Sequence, residues 1–217
     1  GVVSQKQSFG YTIYDTIKAL DQAGEWFKDR AANTLYYQVA PGQDPNNMEI
    51  EFKRRDYAFD VRGRDYIQLK GLTLRGAGIY TDGATDYNVY QGLKIYGYDR
   101  GNVGRMWLSG SNNTLRDSEV SQSWGSVATV SGSGHRIVNN YLHDIGYGGT
   151  ARVLTMSGDA HLVSRNTVSR IARSFLDGFP NRSEFSYNLF EDGARLSWDT
   201  GFFDGDAGRG NGGRCIV

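Results

Sequence analysis

One phrase recurs through the chain: an apolar residue, four positions of mixed character, then a second apolar residue. It appears as Leu69/Leu74, Tyr90/Ile95, Leu115/Val120, Ile137/Leu142, Val163/Val168 and Phe185/Phe190, with steps of 21, 25, 22, 26 and 22 residues between copies. Two residues before each second apolar position stand Leu72, Leu93, Ser118, Asn140, Asn166 and Asn188, so the last three copies align an asparagine. A second phrase, x-Ser-Gly, closes a short apolar run before the next copy opens: Leu108-Ser109-Gly110, Val130-Ser131-Gly132 and Met156-Ser157-Gly158, with Tyr80-Thr81-Asp82-Gly83 as a looser version. A repeat of this length, built of short β-rich runs with no helical pattern inside, belongs to chains that bury each unit against its neighbours in a stack.

The repeat therefore predicts a parallel β-solenoid in which each copy is one coil of about three strands and equivalent residues stack at roughly 4.8 Å. Leu69, Leu115, Ile137, Val163 and Phe185 should form one inward column, and Leu74, Ile95, Val120, Leu142, Val168 and Phe190 another. Asparagine tolerates the left-handed backbone of a tight corner, and its amide bonds the residues above and below. Asn140, Asn166 and Asn188 thus read as a structural ladder. His135 and His161 occupy equivalent positions in neighbouring coils; a metal pair is one reading, and turn residues stacked at a coil corner is the preferred one.

Composition narrows the rest. Lys+Arg and Asp+Glu number 24 each, so there is no global positive field to hold nucleic acid or an anionic membrane. A lone cysteine, Cys215, excludes an internal disulfide framework and multi-thiolate zinc modules, and reads as core filler. No run reaches the roughly 18 apolar residues of a membrane-spanning helix. The only helical spacing, Ile13, Ile17, Leu20 and Ala23, predicts one short helix between Tyr14 and Lys28. The expected organisation is a cap and lead-in over 1–30 and coils over 31–217.

The phrase Gly24-Glu25-Trp26-Phe27-Lys28-Asp29 leading to Thr34-Leu35-Tyr36-Tyr37, then Pro41-Gly42 and Tyr66-Ile67-x-Leu69-x-Gly71-Leu72, resembles the opening of large secreted β-helix proteins. From about residue 25 onward the chain is similar to the right-handed parallel β-helix proteins that include pectin and alginate lyases, polysaccharide hydrolases and phage tailspikes. The resemblance implies an all-β, right-handed parallel β-helix with a short N-terminal helical cap, a secreted or extracellular location, and a polysaccharide or oligosaccharide partner. A glycoside hydrolase is the leading expectation. A polysaccharide lyase comes second, and a non-catalytic glycan-binding or structural fibre protein of the tailspike or adhesin kind third. Arg214-Cys215-Ile216-Val217 echoes His135-Arg136-Ile137-Val138, so further C-terminal coils or a partner chain are expected over the open end.

Functional side chains on a solenoid should come from outward columns of adjacent coils. With Met106 and Leu108, Ala128 and Val130, and Leu154 and Met156 inward, alternation turns Trp107, Thr129 and Thr155 outward, and Asp177 takes the equivalent place in the next coil. The segment that follows is rich in polar residues, with Glu191, Asp192, Arg195, Trp198, Asp199, Asp204 and Asp206, and it lengthens its coil. Glycoside hydrolysis needs two carboxyl groups, one to protonate the leaving oxygen and one to attack or to activate water. Asp177, Asp199 and Asp204 are the catalytic candidates. Trp107, Thr129, Thr155, His143, Glu191 and Trp198 are the substrate-contact candidates, and Phe202 and Phe203 offer further flat faces. Asp199, Asp204 and Asp206 are also hard oxygen ligands suited to calcium; no other metal or cofactor is expected. For a lyase, Arg173, Arg195 and Arg209 would supply the cationic groups, since no lysine follows Lys94.

Overall fold

The computed structural model describes residues 13, 15–99, 105–149, 151–178, 180–197, 201, 203 and 204. Contacts divide the chain into two units, Gly1–Glu51 and Phe52–Val217. In the first, the predicted helix is reduced to a single 3-10 turn at Ile17–Ala19. The apolar spacing is real, but the chain closes on itself instead. Glu25 Oε2 accepts from the amides of Asp21 and Gln22 at 2.8 and 2.9 Å, and Gly24 adopts φ +95°. A local carboxylate has captured the donors that a continuing helix would need. Trp26–Asp29 then pairs antiparallel with Thr34–Tyr37.

The second unit is a parallel β-solenoid of about six coils. Its first sheet stacks Gln68–Lys70, Val89–Gln91, Thr114–Arg116, Arg136–Val138, Leu162–Ser164 and Glu184–Ser186. The second stacks Thr73–Arg75, Lys94–Tyr96, Glu119–Ser123, Tyr141–Ile145, Thr167–Ile171 and Leu189–Glu191. The third stacks Met106–Leu108, Ala128–Val130, Leu154–Met156, Leu176–Asp177 and Phe203–Asp204. Tyr57–Asp60 pairs with Gly78–Tyr80 in a separate parallel pair.

The register is the one the repeat implies. Leu69, Tyr90, Leu115, Ile137, Val163 and Phe185 are partners in series. Leu74, Ile95, Val120, Leu142, Val168 and Phe190 are partners on the second sheet. Most of these side chains are fully buried in one continuous core. Packing rows of branched side chains at strand spacing is what holds each short strand, since none could persist alone.

Two buried polar ladders run beside this core. In one, the amides of Leu93, Ser118, Asn140 and Asn166 donate to the side chains of Ser118, Asn140, Asn166 and Asn188 of the next coil, at 2.9–3.0 Å. Each asparagine Nδ2 of that ladder reaches back to a main-chain carbonyl, of Leu115, Ile137 and Val163 in turn. The left-handed corner expected at these asparagines sits one residue earlier, at Asp117, Asn139, Arg165 and Tyr187, all with φ between 53° and 58°. Separating the jobs has a physical reason: the left-handed residue turns the chain, and the next residue then points inward, where an amide can satisfy the backbone left open at the bend.

The second ladder runs Asn88, Asn113, His135, His161 and Ser183, each accepting from the amide of the coil before. The histidine rings stack at 5.1 Å and 5°. Their Nδ1 atoms accept from backbone amides, while Nε2 of each faces a serine carbonyl, Ser131 O at 2.8 Å and Ser157 O at 3.0 Å. The donor to Nδ1 fixes the neutral, Nε2-protonated ring, so both nitrogens are used and the corner reading holds over the metal pair. Burial pushes His135 down to about 4 and lowers His161 as well. The x-Ser-Gly phrase is explained by close coil contact: a Cβ on Gly132 would overlap the carbonyl oxygen of Gly110, and one on Gly158 that of Gly132.

Candidate functional site

The third sheet exposes a single outward column. Trp107, Thr129, Thr155, Asp177 and Asp204 are register partners in series, and the first three are flanked on both sides by buried neighbours. Trp107 packs edge-on against Tyr80 at 6.2 Å, and Tyr80 stacks on Tyr57 at 4.5 Å and 12°. One end of the strip is therefore aromatic, with Arg62 lying 4.5 Å over the Tyr80 ring. The other end carries two carboxylates on neighbouring strands, about 4.8 Å apart at the backbone.

Arginines line the same face. Arg152 bridges the carboxylates, with Nε 3.6 Å from Asp177 Oδ2 and Nη2 3.5 Å from Asp204 Oδ2. Asp204 Oδ2 also lies 3.0 Å from Arg173 Nη2 and accepts from Ser174 Oγ at 3.3 Å. Further along, Arg105 Nη1 donates to Thr129 Oγ1 at 2.9 Å, while its Nε stands 3.8 Å from the buried Asp99. Among the described residues, four buried side-chain nitrogens have no hydrogen-bond partner: Arg105 Nε, Trp107 Nε1, Arg152 Nε and Arg173 Nε. All four belong to this face. These atoms are shielded from solvent, and two of them stand in ion pairs, Arg152 Nε with Asp177 and Arg105 Nε with Asp99, so the guanidiniums act here as counter-charges packed beneath the column.

The sequence-predicted candidates divide by sheet. Trp107, Thr129, Thr155, Asp177 and Asp204 come together as expected. His143 and Glu191 share a column with Tyr96, Ser121 and Ser169 on the second sheet, so they do not join the third-sheet strip. There, His143 Nδ1 lies 2.6 Å from Asp144 Oδ2 and Nε2 lies 3.2 Å from Glu119 Oε1. Arg170 grips Asp144 through Nε and Nη2, both at 2.8 Å, and holds its carboxyl down at about 2. Phe203 is not an outward platform: alternation that turns Asp204 out turns Phe203 in, against Phe175, Phe185 and Phe190. Trp198, Asp199, Phe202, Asp206 and Cys215 lie outside the described residues, and the calcium set with Asp199 and Asp206 lies there too. Among the described residues no group of three or more His, Cys, Asp or Glu is arranged to hold a metal ion.

Arg105 and Arg152 were not legible as site residues. They stand one and two residues before their strands, and Arg173 three before, so no constant register aligns them. The signal available was chemical: an arginine just upstream of the outward residue in three coils, before Trp107, Thr155 and Asp177. No helix among the described residues is long and apolar enough to cross a membrane. No family model matches the chain, and no curated protein and no solved structure matches it.

Proposed function

We propose that the outward strip of the third sheet binds polysaccharide, and that the protein is an extracellular glycoside hydrolase with Asp177 and Asp204 as its carboxylate pair. The observation that carries this reading is the single outward column that sets both carboxylates on neighbouring strands of one face, with Trp107 at its other end. Sugar hydroxyls bond to carboxylates and hydroxyls of such a column, and Trp107 with Tyr80 gives an aromatic end to the same strip. Three strand steps separate Trp107 from Asp177, about 14 Å, which leaves an extended chain room to contact both.

The two carboxylates differ in how firmly they are held. Asp204 is fixed by two guanidiniums and a hydroxyl, which suits the group that attacks or orients water. Asp177 contacts one guanidinium at 3.6 Å and suits the group that protonates the leaving oxygen. Neighbouring strands keep such a pair within the roughly 5–10 Å that retaining and inverting mechanisms span.

One observation favours a lyase as the second reading: Arg152 and Arg173 together could neutralise a uronate carboxylate during β-elimination. Digestion of a panel of neutral and acidic polysaccharides separates the readings. New reducing ends without ultraviolet absorbance mean hydrolysis, and an absorbing unsaturated product means elimination. Asp204→Asn should lower hydrolysis by about a thousandfold or more. Binding with neither product would leave the glycan-binding fibre reading in place of an enzyme.

A further inference from the structure

The corner between the first and second sheets carries a groove of about 360 Å³, lined by Gly92, Leu93, Lys94, Asp117, Ser118, Glu119, Asn139 and Tyr141. It is on a different face from Asp177 and Asp204. Its wall is an aromatic ring held in one pose. Tyr141 stacks on His143 at 4.1 Å and 25°, and its hydroxyl lies 3.2 Å from Ser169 Oγ and 3.3 Å from Arg170 Nη1. His143 is itself clamped between Asp144 and Glu119. Tyr141 lines the groove and keeps 36% of its surface exposed, so His143 does not cover the whole ring.

From this geometry we infer that the groove is a second ligand site, which takes one pyranose ring of a neutral glycan against the free face of Tyr141. The chemistry selects that class. An aromatic face carries negative charge and meets the C–H face of a sugar ring, while carboxylate, amide and ammonium groups at the rim bind its hydroxyls. Asp117 and Glu119 stand against Lys94 and against Arg116, which lies 3.9 Å from Asp117, so the groove carries no net positive charge to draw in an acidic sugar. The ring's own register neighbours are Glu119 and Thr167, neither of them a large apolar side chain, and Ser118 is a further lining residue. The ring is ordered before any ligand arrives, which lowers the entropic cost of binding. This site stands independently of whether the third sheet cleaves.

The test is binding of the full chain to an array of neutral glycans, followed by calorimetry with cello-, xylo- and manno-hexaose. Wild type should bind at least one neutral glycan. Tyr141→Ala should weaken it by about tenfold or more, and Glu119→Gln by about threefold to tenfold. Glu119 is half-buried at a strand start with its side chain 43% exposed, so that variant guards against a folding defect in the first. No binding to any neutral glycan, or wild-type affinity in either variant, overturns the inference. None of these outcomes depends on the digestion assay.

Discussion

The interior ladders and the third-sheet strip are both stacks of polar side chains running along the same solenoid, and they treat hydrogen bonds in opposite ways. In the Asn and His ladders each side chain accepts from the coil before, and its remaining ring or amide nitrogen reaches a carbonyl. On the strip the contacts are ionic: Arg152 stands against Asp177 and Asp204, and Arg173 against Asp204. Polar groups whose partners lie inside the coil stack contribute stability and specify register. Those held by half-exposed ion pairs contribute less to the fold, and they stand on the outward face that a ligand would meet.

That contrast can be broken at several strengths. The largest effect should come from the glycine column: Gly158→Ala must displace the Gly132 carbonyl and adopt φ near +102°, so a loss of about 4 kcal/mol or failure to fold is expected. Gly63→Ala is the control, since nothing lies within 4 Å and only its φ of +61° opposes the change; about 1 kcal/mol should be lost in urea titration. Next comes Asn166→Ala, which orphans the Asn140 amide and the Ile137 carbonyl and should cost about 1–3 kcal/mol.

The His ladder makes its contribution depend on pH. His135 is lowered from 6.5 to about 4, so the unfolded chain takes up a proton before the folded one does. Its stabilisation is fully present above about pH 6.5 and is lost as pH falls toward 4, a decline of about 2–3 kcal/mol. Asp144, held down to about 2, loses its own contribution lower still. Denaturation midpoints across pH 4–8 check this, and His135→Asn, which substitutes the residue the ladder uses at Asn113, should flatten much of the slope. The smallest effect on stability belongs to the strip: Asp177→Asn removes one half-exposed ion pair and should shift stability by about 1 kcal/mol or less.

The coil register was readable because its cause is periodic: burial in a stack forces Leu115, Ile137 and Val163 to recur at one spacing. The outward column followed from the same rule, since alternation next to Met106, Ala128 and Leu154 leaves no choice for Trp107, Thr129 and Thr155. Features without a period were not readable. Arg105 and Arg152 reach the strip from different offsets, and Asn88 and Asn113 extend the histidine ladder under different residue names. The N-terminal helix failed for a related reason: spacing measures which faces can be buried, while the Glu25 carboxylate decides what the local amides do. His143 and Glu191 stand on the second sheet and not on the strip, because a residue type suited to sugar contact does not say which face of the coil carries it.

The most direct test of this division compares turnover per folded molecule in Asn166→Ala and Asp204→Asn, on a polysaccharide that the wild type degrades, alongside urea midpoints for both. The expected result is a crossed pattern. Asn166→Ala should unfold earlier and retain wild-type turnover within about twofold, while Asp204→Asn should keep its midpoint and lose turnover by about a thousandfold. Wild-type turnover in Asp204→Asn would contradict the assignment of function to the third sheet.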